Sequence, residues 1–366
     1  MIQFTDRSVG TIHEIVSRSM QQKPEKTEHV QAMSATAVGY PQSASAMPIE
    51  LCAPVRRIVT FHSGSLREFL FALPALKTLR ETYDGAHLCV VLRKDLANLL
   101  TGNPLVDEIL LRPEGGLSSQ AGLMAKLHAH HFDMALAFSS SRKGTLLAWS
   151  SGAPIRIGFD GARMEALLTH RVAKDENQPL SIEAMLNMAR VAGCTPRCQD
   201  YSNVLSPTIE FEREADRILQ EKRVEGPFLL VSTQAEDNTS SSNANLWKAC
   251  LAALSKQRTV LLVGAKGNRE LIREIAGAVP QANIHDLPDN LETPTLAALC
   301  GKARLFVGCA GGLAHLAAAL NTPGVVVNGA KTERDISEPR GVAHRLLRDG
   351  CSNEDIQQAV RELIGL

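Results

Sequence analysis

Two joints in this chain carry residue types that can do chemistry. The first, His62-Ser63-Gly64-Ser65-Leu66-Arg67-Glu68-Phe69, directly follows the β-rich run RIVTF. Gly64 permits a tight turn, Ser65 can cap a helix, and Glu68 falls three residues after that cap. A carboxylate there has two readings: the reciprocal partner of a capping box, or a general base at the edge of a sheet. The second joint, GCAGGLAHLAAAL, begins at Gly308. A strand ends there and a small-residue helix starts, with Gly311 and Gly312 at the turn. Free amide N–H groups at such a helix start bind phosphate without side-chain charge. Close strand–helix packing is the other use of the two glycines, and a buried, satisfied ring is the other reading of His315.

These joints need sheets to hold them, and the rhythm of the chain supplies two. From Arg57 onward, short β-rich runs such as RIVTFH, HLCVVL and FDMALAF alternate with helical segments. That alternation predicts a parallel sheet with helices on both faces. The pattern restarts after a connection, CTPRCQDYSNVLSP, with FLLVST and TVLLV. Two Rossmann-like halves follow, facing one another across a cleft, with ligands outside the carboxyl ends of the strands. The expected boundaries are a flexible extension over 1–54, a first domain over 55–205, a second over 206–350 and a terminal helix over 351–366. Within the extension, Val9, Ile12, Ile15 and Val16 permit one short amphipathic helix.

Composition excludes several classes. Length, at 366 residues, suits two domains, and 44% hydrophobic content suits a soluble globular protein. Acidic and basic residues balance at 39 each, so nothing points to nucleic acid as a partner. No apolar run is long enough to span a bilayer, and the N-terminus lacks the pattern of a secretory signal. The eight cysteines are scattered, and the Cys194/Cys198 spacing is wrong for a zinc knuckle, so reduced thiols and no metal site are expected. GxGxxG does not follow the first strand of either half, and GxxxxGK[ST], HExxH and GxSxG are absent, which argues against a dinucleotide cofactor, a P-loop or a serine hydrolase.

The joints and their surroundings resemble glycosyltransferase family 9, the heptosyltransferases of lipopolysaccharide core assembly. HSGSLREFLFALPAL with NPLVDEIL looks like the family's first βαβ unit. GAPIRIGFDGARMEALLTHRV is similar to its S-G-A-x-x-R-I-G-F segment, and GCAGGLAHLAAALNTPGVVVNG to its G-N-D-S-G-x-x-H-L-A-A-A-L segment. The similarity covers residues from about 55 to 366. It implies a GT-B fold and metal-independent, inverting transfer of a heptose or related sugar from an ADP-heptose-like donor to a glycan or glycolipid acceptor. No cofactor beyond the nucleotide-sugar is implied. The setting is cytoplasmic, with at most peripheral association with the inner membrane.

The resemblance assigns Glu68 as the base. Gly311, Gly312 and His315 would hold the diphosphate, and Gly264 and Lys266 would line the nucleotide end. Asn245 stands where the family has a lysine for the diphosphate, and Lys266 is a substitute for that charge. Ser65, Arg142, Lys143, Arg156, His170 and Arg171 are candidates for an acidic or phosphorylated acceptor, or else a solvated basic face. The family's loop aspartate is Glu68 here, and its D-S/T-G is Ala310-Gly311-Gly312. These departures keep a second reading open, a catalytically degenerate member acting as a binding or scaffold protein. A third is another GT-B activity, such as an epimerase.

Overall fold

The computed structural model describes residues 53–366, except 63, 114–116, 174–180, 198–199, 203, 234–243, 257, 264–272, 274–276, 278–282, 289–290, 328–338, 340–341, 349 and 366. The expected N-terminal extension and its short helix lie outside the described residues, and so do Gly264 and Lys266.

In the first half, β1 (Arg57–Phe61), β2 (His87–Leu92), β3 (Glu108–Leu111), β4 (Met134–Ala137), β5 (Ile155–Phe159) and β6 (His170–Val172) alternate with helices. These are α1 (Leu66–Thr82), α2 (Lys94–Leu100), α3 (Leu117–Ala129), α4 (Arg142–Ser150) and α5 (Ile182–Val191). The second half contains α6 (Ile209–Glu221), β7 (Phe228–Ser232), α7 (Ala244–Leu254), β8 (Thr259–Val263), β9 (Ile284–Asp286) and α8 (Thr293–Lys302). It continues with β10 (Leu305–Cys309), α9 (Gly312–Ala319), β11 (Gly324–Val327), β12 (His344–Leu347) and α10 (Asn353–Ile364).

Both sheets are parallel throughout, and they repeat one topology. The strand orders are β3-β2-β1-β4-β5-β6 and β12-β11-β10-β7-β8-β9. Counted within each half, both are the doubly wound order 3-2-1-4-5-6. The order reverses between β1 and β4 in the first sheet and between β7 and β10 in the second. A crevice opens at such a switch point, outside the carboxyl ends of the strands. Both joints singled out in the sequence sit at one: the first follows β1, and the second follows β10.

Side-chain alternation along the strands sorts the core into layers. Val59 and Phe61 of β1 pack with Leu123 and Leu127 of α3 and Leu147 of α4. Leu229 and Val231 of β7 pack with Trp247 and Leu251 of α7 and with Ile356 and Val360 of α10. The opposite faces of the two sheets share one apolar core, which runs from Ile58 and Leu70 through Met185 and Tyr201 to Leu230, Leu299 and Leu316. Helices α1, α2 and α5 lie on one side of it, and α6, α8 and α9 on the other. Contacts between α1 and α9 and between α2 and α8 cross from half to half. The terminal helix α10 packs against α7, β10, β11 and β12.

Two strands escaped the sequence reading, β6 and β12. Each pairs on one side only, with β5 and β11 respectively. Both are short and carry His and Arg, which suits an edge strand and hides the apolar alternation that marks the others.

Candidate active site at the two switch points

At the first switch point, the chain leaves β1 through His62. The ring of His62 is 3% exposed. It stacks on Phe138 at 5.1 Å and meets the edge of Phe69 at 5.7 Å. One nitrogen, Nε2, lies 3.1 Å from the Thr60 hydroxyl, while Nδ1 is buried without a hydrogen-bond partner among the described residues. Burial disfavours the charged ring and lowers its pKa to about 3. An unpartnered buried nitrogen is unfavourable by about 1–3 kcal/mol unless a ligand or water meets it.

Two residues beyond the described gap at 63, Ser65 caps α1. Its hydroxyl accepts the Glu68 N–H at 3.4 Å, and Glu68 Oε2 accepts the Ser65 N–H at 3.1 Å. The capping box expected from the spacing is therefore formed. The Glu68 carboxylate folds back over Gly64 so closely that a Cβ there would fall 1.3 Å from Oε2. Glycine at 64 is what lets the carboxylate occupy this place. Across the switch point, Ser141 caps α4 by accepting the Gly144 N–H at 3.1 Å. Arg142 and Lys143 stand exposed in the first turn of that helix.

The second switch point repeats the plan with different residues. Thr233, one residue after β7, is 1% exposed, and its hydroxyl has no hydrogen-bond partner among the described residues. Its carbonyl accepts the Cys309 thiol at 3.7 Å, which ties the ends of β7 and β10 together. Gly308 sits at the same closure. A Cβ there would meet the Ser232 carbonyl oxygen at 2.6 Å and the Phe306 ring at 2.8 Å, so the strands approach as closely as glycine allows. Gly311 then precedes α9 in extended backbone, without a side-chain cap, and Gly312 opens the helix. Asn245 lies exposed near the start of α7.

Of the two readings left open for His315, the structure has the buried one: its ring is fully buried. Nδ1 lies 2.5 Å from the Tyr201 hydroxyl, and the ring meets the edge of Phe71 in α1 at 4.8 Å. His315 thus joins three segments: α9, α1 and the connection between the halves. Tyr201, also fully buried, lies in a stretch that reads only as a linker, and no sequence signal marked it.

This contact brings the two joints together. Glu68 and Phe71 are three residues apart in α1 and share a face, as do Gly311, Gly312 and His315 at the start of α9. At about 1.5 Å of rise per residue, Glu68 and the α9 amide end each lie about 4.5–6 Å along their helices from the Phe71–His315 contact. The contact packs α1 against α9, the two helices that open the joints.

Three of the basic candidates are otherwise engaged. Arg156 is near the amino end of β5, and its guanidinium donates to the carbonyls of Leu167 at 2.7 Å and Ala153 at 2.6 Å. It anchors the segment after β5 and does not reach the switch point. His170 opens the edge strand β6 with Nδ1 2.9 Å from the Thr169 hydroxyl, and burial lowers its pKa. Arg171 is exposed and faces Glu165 at 3.3 Å and Asp160 at 3.8 Å, which offset its charge. Of the predicted acceptor residues, Ser65, Arg142 and Lys143 are at the first switch point.

No cluster of metal-ligating side chains occurs among the described residues, and no helix among them is long and apolar enough to cross a membrane. A groove between α6 and α8 is lined by Glu210, Glu214, Glu221 and Glu292, with Arg217 held by two of these carboxylates. Its charge opposes a diphosphate.

Comparison with known proteins matches the chain to one family. The model of glycosyltransferase family 9 (heptosyltransferase) matches residues 121–353. Lipopolysaccharide heptosyltransferase 2 of Escherichia coli strain K12 is 26% identical over 306 residues, covering 80% of this chain and 88% of that protein. Among solved structures, a family 9 glycosyltransferase from Veillonella parvula superposes with a TM-score of 0.77 at 16% identity, covering 84% of this chain and 97% of the other. The E. coli ADP-heptose lipopolysaccharide heptosyltransferase II gives 0.70 at 20% identity, covering 84% and 98%.

Proposed function

Because the chain belongs to glycosyltransferase family 9, we propose that it transfers a heptose or related sugar from an ADP-heptose-like donor to a glycan or lipopolysaccharide-core-type acceptor. The transfer inverts the anomeric centre and uses no metal ion. The observation that supports this reading is the Phe71–His315 contact, which packs α1, whose first turn holds Glu68, against α9, whose start has no side-chain cap.

In this reading the acceptor sugar enters at the first switch point. The Glu68 carboxylate takes the proton of the acceptor hydroxyl as its oxygen attacks the anomeric carbon of the donor. Its Oε2 already accepts the Ser65 N–H, which fixes the carboxylate in place. The leaving nucleoside diphosphate lies at the start of α9. Amide N–H groups and the Thr233 hydroxyl stabilise the charge that develops there. Arg142 and Lys143 attract an anionic acceptor. His62 Nδ1 forms a hydrogen bond with a sugar hydroxyl. Lys266 and Gly264 serve the nucleotide end, and Asn245 leaves a place for a cation open. The reaction takes place in the cytoplasm, where nucleotide-sugars are available.

A second reading has its own support. The burial of His315 and the presence of Ala310 and Asn245 favour a protein that keeps the fold and binds without turnover. Glu68→Gln separates the two. With ADP-heptose and a core oligosaccharide acceptor, transfer by the wild type and its loss in the variant, with donor binding retained, supports the transferase. Equal absence of transfer in both supports the binding protein.

A further inference from the structure

The groove between α6 and α8 uses no residue assigned to the donor or the acceptor. Its volume is about 400 Å³, a size that holds a small molecule. Glu210, Glu214, Arg217 and Glu221 recur every three or four residues along its wall, so they stand on one face of α6. From Glu210 to Glu221 that face is about 16 Å long. The floor is apolar: Ile218 is buried, and Phe211 and Leu291 pack against the core beneath.

The charges along the groove are unevenly matched. Arg217 donates to both oxygens of Glu214, at 2.9 and 2.5 Å, and to Glu221 at 2.6 Å, which holds those two carboxylates in place. Glu210, in the first turn of α6, and Glu292, at the N-cap of α8, have no ion-pair partner among the described residues. Thr295 is a second, independent feature. It lines the groove at 3% exposure, and its hydroxyl has no hydrogen-bond partner among the described residues. A buried hydroxyl in that state is unfavourable unless a ligand or water meets it. The carboxylates are strung along the helix rather than gathered, and no group of metal-ligating side chains occurs among the described residues. This arrangement matches a long cation, not a compact one.

We infer that the groove is a binding site for a linear aliphatic polyamine. Its ammonium groups meet Glu210 and Glu292, and one of them donates to the Thr295 hydroxyl. Its methylene stems lie on Phe211, Ile218 and Leu291, as the stem of a lysine lies on apolar surface. An anion is repelled here, and a cation with a single charged head leaves one of the two unpaired carboxylates unmatched. The site is independent of the transferase reading.

The test is calorimetric titration of the full chain with spermidine at about 0.1 M salt, where long-range attraction between exposed charges is largely screened. We expect one site with a Kd of about 10–100 μM. Glu210→Gln combined with Glu292→Gln removes both unpaired charges and weakens binding about tenfold. Thr295→Val keeps the shape, removes the hydroxyl and weakens binding about fivefold. Thermal unfolding without ligand verifies that the variants are folded. Putrescine, which has one spacer and two charges, binds about tenfold more weakly than spermidine. No binding at millimolar spermidine overturns the inference, and so does equal affinity in the wild type and the double variant. Displacement of spermidine by an equal concentration of magnesium ion also overturns it, since the groove is then a set of surface carboxylates only. Self-association that the double variant abolishes gives the groove to a second copy and overturns it as well.

Discussion

His62→Leu tests the environment of the first switch point through pH. The folded protein holds this ring neutral, with a pKa lowered from 6.5 to about 3 by burial. An unfolded chain binds a proton at His62 below about pH 6.5, where the folded one does not. The folded-state value is depressed, so the contribution to stability is intact above the unfolded value and is lost as pH falls toward the folded one. The slope approaches about 1.4 kcal/mol per pH unit, and between about pH 6.5 and about pH 4.5 the wild type loses about 2.3 kcal/mol through this group. Leucine has nothing to protonate. At about pH 7 the variant is expected to be about 1 kcal/mol less stable, because Thr60 loses its partner while the unpartnered Nδ1 is removed. At about pH 4.5 the order reverses, and the variant is more stable by about 1.5 kcal/mol. Urea unfolding at both pH values, followed by circular dichroism, measures the difference. Burial also lowers His170 and His285, but both are present in each protein and cancel in the comparison. A stability gap that is the same at both pH values would refute the buried, neutral histidine.

Other substitutions test the joints. Gly64→Ala places a methyl where Glu68 Oε2 lies, so the carboxylate must leave its capping position; thermal unfolding should show a loss of about 1 kcal/mol, and any transfer activity should fall with it. Gly308→Ala forces β7 and β10 apart, since the obstacle is the Ser232 carbonyl, and should lower stability by about 1–3 kcal/mol in urea titration. Tyr201→Phe removes the hydroxyl that meets His315 and should lower stability by about 1–3 kcal/mol. Unchanged urea midpoints in that variant would show that the contact does not hold the halves together.

Much of the architecture was legible because it is local. Alternating β-rich and helical segments announced two parallel sheets, and Ser65 and Glu68 announced the start of α1 by spacing alone. The edge strands β6 and β12 were not legible, because three or four residues with His and Arg carry no period. The site was legible in part. Ser65, Glu68, Arg142, Lys143 and Gly312 are next to strand ends in the sequence, so topology alone delivers them to the switch points. His315 shows the opposite case. Its motif reads as a ligand site, but its environment depends on Tyr201 and Phe71, which are 114 residues away in the first case and belong to the other half in the second. Arg156 likewise reads as a free cation until the Leu167 and Ala153 carbonyls come round to it. The unpartnered atoms of His62 and Thr233 had no sequence signal, since only the packed fold decides which polar atoms find partners.

The central claim is a nucleotide-sugar donor site at the second switch point, and calorimetric titration with ADP, UDP, GDP and CDP tests it most directly. The account predicts micromolar binding of ADP in preference to the others, weakened about tenfold or more by Thr233→Val. No binding of any of the four at millimolar concentration would contradict it, and would leave a family 9 fold that binds something other than a nucleotide-sugar.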